Sequence, residues 1–201
     1  MAIKGLSIPT FGKYAYSQGS VTYSNGATIG HAIEYSFEPE MSDDNPLYGD
    51  NMIVEHDNGV FTGGTLTLQT SELTQTTSKT LLGLTAGTFT VGEGTGSTTV
   101  NTYLYDDSAS PVTIGFGIIE EHQIDDVTKY CAVILPKCRP KFTSAAATTR
   151  GETIDWQTQE IAFSVERSDA TGHPWRIDAD PFTTESAAQA YLNAFLGVSA
   201  G

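Results

Sequence analysis

A chain of 201 residues with 24 acidic and 10 basic side chains, formally −14, suits one domain able to bury roughly 70% of its unfolded surface without disulfide or metal staples. Charged residues are only 17% of the total, so the surface is acidic yet built mainly from Thr, Ser, Asn, Gln and Gly. The shortage of Lys and Arg argues against tight binding to nucleic acid or anionic membranes, because affinity for phosphate comes from cations that displace counterions. DNA could pass such a surface without sticking.

The segment Met1–Pro9 lacks the apolar stretch of a signal peptide, and no apolar run approaches the roughly 18 residues of a membrane span. A cytosolic origin is therefore expected. Ser24-Asn25-Gly26-Ala27 predicts a hairpin or tight turn after Val21-Thr22-Tyr23. From Ile33 the alternation is clean: Ile33, Tyr35 and Phe37 face one way, and Glu34, Ser36 and Glu38 the other.

Residues 40–58 carry Asp43, Asp44, Asp50, Glu55 and Asp57 and the turn formers Asn45-Pro46 and Asn58-Gly59. They predict a long loop with one edge strand around Met52–Glu55, and loops of that length are usually functional or disordered. Leu66 and Leu68 then alternate with Thr65, Thr67 and Gln69 in a strand. Ser71 is the expected N-cap of a short helix with Leu73, Thr77, Leu81 and Leu84 on one face, stopped by Gly83. Gly92-Glu93-Gly94-Thr95-Gly96 is a turn between strands near Thr88–Val91 and Val100–Tyr105. It lacks the Gly-Lys-Ser/Thr ending and the following helix that a phosphate cradle needs.

Pro111–Glu121 and Val127–Leu135 form a predicted antiparallel hairpin around the polar link His122–Asp126. Phe116, Ile118, Tyr130 and Ile134 mark it as apolar, and because both its faces are apolar, both must be covered, by a sheet, a helix or a neighbouring subunit. Cys131 and Cys138 lie on one strand, roughly 23 Å apart at about 3.3 Å per residue, too far to pair with each other. In Glu152–Glu166 the apolar parity changes between Trp156 and Ile161, which predicts a bulge near Thr158–Glu160 and a strand serving two sheets. The chain closes on a helix over about 183–196, capped by Thr183, with Ala187, Ala188, Tyr191, Leu192, Phe195 and Leu196 in a stripe and Phe182 as staple.

Catalytic and metal signatures are missing. His31, His56, His122 and His173 are scattered and expected at the surface or an edge. No nucleophile elbow occurs. The acid pairs Asp43-Asp44, Asp106-Asp107, Glu120-Glu121 and Asp125-Asp126 lack a calcium-loop pattern and are expected in solvated turns. No catalytic residue, cofactor or metal is assigned, and an enzyme is the least supported class.

The order Gly5-Leu6-x-x-Pro9, Ile29-Gly30-x-Ala32, Leu47-Tyr48-x-Asp50-Asn51, Phe61-x-Gly63-Gly64-x-Leu66-Thr67-Leu68, Glu72-Leu73, Leu81-Leu82-Gly83, Gly115-Phe116-Gly117, Tyr130-x-Ala132, Gly151-Glu152-x-Ile154, Trp156-Gln157-Thr158 and Phe182-x-Thr184-x-x-Ala187-x-x-x-Tyr191-Leu192 resembles the major tail protein, or tail tube protein, family of long-tailed bacteriophages. The resemblance covers nearly the whole chain, with the stretch 88–101 unmatched. It implies a mainly β protein of one domain, a β-sandwich or barrel of antiparallel strands with a flanking helix and a C-terminal helix. Six copies would close into a ring, and rings would stack into a hollow tube in the virion, with no enzymatic activity. The implied partners are other copies of the chain and the tape measure, tail terminator and distal tail proteins, with DNA passing unbound and no membrane.

Within that expectation Asp43, Asp44, Leu47, Tyr48, Asp50, Glu55 and Asp57 form an inter-ring stacking loop. Glu34 and Glu38 face either the lumen or, as an ordinary solvated outer face, bulk water, and Phe116, Ile118, Tyr130 and Ile134 form a ring or core hairpin. The alternative is a secreted or surface β-sandwich module for carbohydrate or adhesion, with Tyr14, Tyr16, Tyr103 and Tyr105 as its aromatic platform.

Overall fold

The computed structural model describes residues 2–92, 97–142, 149 and 156–199. In chain order it contains β1 (Ala2–Ser17), β2 (Ser20–Thr28), β3 (Ala32–Met41), β4 (Asn45–Gly49), β5 (Met52–Asp57), β6 (Phe61–Thr70), α1 (Gln75–Leu82), β7 (Thr85–Val91), β8 (Thr98–Leu104), β9 (Ile114–Ile124), β10 (Val127–Pro140), β11 (Gln159–Val165), β12 (Ile177–Asp178) and α2 (Glu185–Leu196). The protein is mainly β, as its alternating patterns predict. One antiparallel sheet runs β2-β1-β9-β10-β11-β6-β3, with β12 added to β10, while β4–β5 and β7–β8 are separate two-stranded hairpins.

The large sheet curls over on itself. Phe116 of β9, Phe163 of β11 and Leu66 of β6 all belong to one buried cluster, which Phe11, Ile29 and Leu81 help to close. The Phe116 and Phe163 rings lie 6.0 Å apart, and the Ile29 amide donates to the Pro9 carbonyl at 2.7 Å, tying the turn after β2 back onto β1. The opposite face of the β9–β10 pair, Ile119, Ala132 and Ile134, is covered by Ala188 and Leu192 of α2. The second cover demanded by a two-faced apolar hairpin is thus the chain's own helix.

Glycine makes that docking possible. A Cβ on Gly12 would sit 2.1 Å from the Leu196 carbonyl oxygen, and one on Gly117 would sit 2.8 Å from Leu192 Cδ2. No side chain fits there, so α2 lies directly on the strands.

Several local expectations are corrected. Asn25-Gly26 is not a hairpin turn: it lies inside β2, where the register slips opposite Phe11 and Lys13, and Asn25 takes φ +51°. The β1–β2 turn is Gln18-Gly19, with φ values of +51° and +81°. Gly26 donates to the Gly197 carbonyl at 3.1 Å, so the bulge serves the end of α2. The N-cap of α1 is Thr74, whose hydroxyl accepts from the Thr77 amide, and not Ser71, whose amide is bound to the His31 carbonyl. Gly83 ends α1 in the left-handed conformation as expected. The cap of α2 is Thr184, one residue after Thr183, because its hydroxyl accepts from the Ala187 amide.

The β9–β10 link is only Asp125-Asp126, both at positive φ, and the strands extend through His122. A register shift between Ala32 and Glu34 leaves Ile33 exposed while Tyr35 and Phe37 pack inward. In its described part β11 lies in one sheet, between β10 and β6. The expected bulge touches a segment whose first half, with Gly151, Glu152 and Ile154, lies outside the described residues, as do Gly94 and Gly96.

Candidate assembly surfaces

The outer face of β3, β6 and β11 is polar and free of Lys and Arg. Glu34 pairs with Gln69, Ser36 with Thr67 and Glu38 with Thr65, and the far side of β6 pairs Gln69 with Glu160, Thr67 with Ala162 and Thr65 with Ser164. Alternation alone produces this stripe, because the inward partners Tyr35, Phe37, Leu66, Leu68, Ile161 and Phe163 fill the core. Among the described residues β3 is also a sheet edge, with β6 as its one paired neighbour, the kind of edge that can accept a further strand.

Residues 40–58 are not mainly the long loop expected, although the expected strand around Met52–Glu55 is present as β5. β3 runs to Met41, and β4–β5 forms a hairpin whose turn residues, Asp50 and Asn51, take φ values of +49° and +60°. The base is pinned by the Ser42 amide donating to Val60 O at 2.8 Å and the Val60 amide to Ser42 Oγ at 2.9 Å. Leu47 pairs with Glu55 and Tyr48 with Ile53. The arm gathers all seven expected stacking residues, Asp43, Asp44, Leu47, Tyr48, Asp50, Glu55 and Asp57, every one exposed. Met52, Ile53 and Val54 are also exposed, at 67%, 48% and 63%. His56 Nδ1 lies 2.8 Å from Asp44 Oδ2 across the arm.

The hairpin residues Phe116, Ile118 and Ile134 are fully buried inside the subunit, and Tyr130 is half-buried beside Phe182. They act as core.

Sequence reasoning missed two features. β7–β8 is amphipathic: Phe89 and Val91 pair with Val100 and Thr98 on a face that also carries Leu104, and these side chains are exposed. The Tyr103 face leans toward α1, with Lys79 Nζ 5.8 Å from the ring centre. Thr/Val alternation signals a strand without saying whether its apolar side is covered.

The second is a buried polar cluster, which corrects the expectation of a solvated Glu120 and an edge His122. Both are buried on β9. The Tyr35 hydroxyl donates to Glu120 Oε1, and Glu120 Oε2 meets His122 Nε2 at 2.8 Å. Burial, reinforced by Glu120, pushes the Tyr35 hydroxyl well above its ordinary value. Period-two spacing from Phe116 and Ile118 to 120 and 122 is the signal that could have placed them inside.

Tyr14 is buried, its hydroxyl donating to Asp169 Oδ2 at 2.9 Å, which takes it out of the expected surface platform. Cys131 and Cys138 are free and buried, and burial pushes both thiols up. Among the described residues no cluster of His, Cys, Asp and Glu could hold a metal ion, and no helix is long and apolar enough to cross a membrane. No protein-family model matches the chain, and a search of the curated proteins likewise found no match.

Proposed function

We propose that the chain is the repeating subunit of a self-assembling hollow tube, as its resemblance to tail tube proteins implies, with six copies per ring and stacked rings enclosing a channel for DNA. The observation that carries this reading is the β4–β5 arm, a two-stranded hairpin with Leu47, Tyr48, Met52, Ile53 and Val54 in solvent. An isolated hairpin is marginal in water, and a contiguous exposed apolar surface marks an interaction site. Stacking on the next ring would cover it.

The stripe of Glu34 and Glu38, free of cations across β3, β6 and β11 and bordered by Arg139 of β10 opposite Ser164, suits a lumen wall that repels phosphate. The tape measure, terminator and distal tail proteins would meet the tube inside and at its ends. The test is electron microscopy of the purified protein over a concentration series with its mass in solution. Rings and tubes are expected; removal of residues 42–57 should leave a folded subunit that forms no tubes. Full-length tubes from that deletion would refute the stacking role, and normal DNA ejection from tubes carrying Glu34→Lys and Glu38→Lys would refute the lumen assignment.

A further inference from the structure

The β7–β8 hairpin has no described role, yet its sequence from Thr85 to Leu104 contains one charged residue, Glu93, in a chain of formal charge −14. Its apolar side chains Phe89, Val91, Val100 and Leu104 are 64%, 55%, 48% and 48% exposed. A second uncharged feature lies elsewhere: a groove of about 540 Å³ bounded by the start of β2, the segment 168–174 and α2, with Val21, Tyr23, Pro136, Pro174, Ile177 and Phe195 among its walls. Among the described residues no charged side chain lines it. Its volume falls in the range of roughly 300–1,000 Å³ typical of pockets that enclose a compact apolar ligand.

We propose that the β7–β8 hairpin of one copy seats its Phe89 face in this groove on a second copy, a contact that rests on the reading of the chain as a self-assembling subunit. Like charge makes most faces of this protein repel one another, so copies meet at least cost where both surfaces are neutral. The β4–β5 arm does not fit the same groove, because Asp50, Glu55 and Asp57 would lose hydration there without a cationic partner. Hairpin and groove are different surfaces, so the contact is head-to-tail and closes a ring or propagates.

Two exposed-site variants test it: Phe89→Ser with Val100→Ser disables the hairpin, and Thr171→Lys places a charge at the groove. Each should keep the unaltered thermal midpoint and fail to close rings. An equimolar mixture should restore a particle of twice the subunit mass by sedimentation, since it retains one working hairpin and one working groove, and should still close no rings. Rings from either variant alone, or a mixture that stays monomeric while the unaltered chain forms rings, would overturn the docking and leave the tube reading standing. An unaltered chain that remains monomeric at every concentration would overturn both.

Discussion

The curled eight-stranded body and the two hairpins that stand off it use the same residue types to opposite ends. In the body, Phe116, Phe163, Leu66 and Leu68 are buried almost completely, whereas Phe89, Leu47 and Met52 on the hairpins are more than 60% exposed. Alternation is equally regular in β6 and in β7. A strand therefore declares its faces, but only its surroundings decide whether an apolar face belongs to this chain's core or to another molecule.

The contrast breaks most sharply under truncation. Phe163→Ala should cost about 3–5 kcal/mol of unfolding free energy, while Phe89→Ala in a monomeric sample should stay within about 0.5 kcal/mol, both measured by urea denaturation. Equal losses would mean that β7–β8 is bound into the body. Gly12→Ala comes next: with the Leu196 carbonyl only 2.1 Å from the new Cβ, α2 must shift, at about 1–3 kcal/mol and with faster amide exchange in α2.

Tyr35→Phe removes the donor facing buried Glu120 and should cost about 1–3 kcal/mol by the same assay. The smallest effect is expected at Asp169, whose carboxyl is held below its usual range by hydrogen bonds from Lys137 and then Tyr14. Its folded-state pKa is depressed, so its contribution is present above the ordinary carboxylate range and is lost as pH falls through the lowered value. Thermal midpoints of the unaltered protein and Asp169→Asn should differ slightly near neutrality and converge in acid. A gap that widens in acid would reject the pairing.

Much of the body was legible in the sequence. The β6 alternation, the two-faced β9–β10 pair, the stripe of α2 and the Gly83 stop all follow from periodicity and backbone preference. Other features depend on what lies across space. Asn25-Gly26 supplies positive φ for a turn or a bulge, and the continuing pairing with β1 selects the bulge. Residues 40–58 look like a loop because acids and turn formers dominate them, yet Asp50 and Asn51 tolerate a left-handed turn and let the flanking residues pair. Glu120 and His122 look exposed by type, but strand parity and the Tyr35 hydroxyl carry them inside.

For the candidate surfaces, the acidic residues of β3 and the members of the β4–β5 arm were readable from their sequence. The groove was not, because Val21, Pro136 and Phe195 meet only in the folded chain.

The topology also sets a timetable for synthesis. β1 pairs along one edge with β2 at once, but its other edge waits for β9, whose residues reach Gln123, and the outer face of β9–β10 waits for α2. Such non-local pairing makes folding slow, and growing chains expose apolar strands while copies are crowded together. During that interval the excess of acids, 24 against 10 basic residues, makes nascent neighbours repel one another, so the charge balance already acts on the chain before its fold is complete.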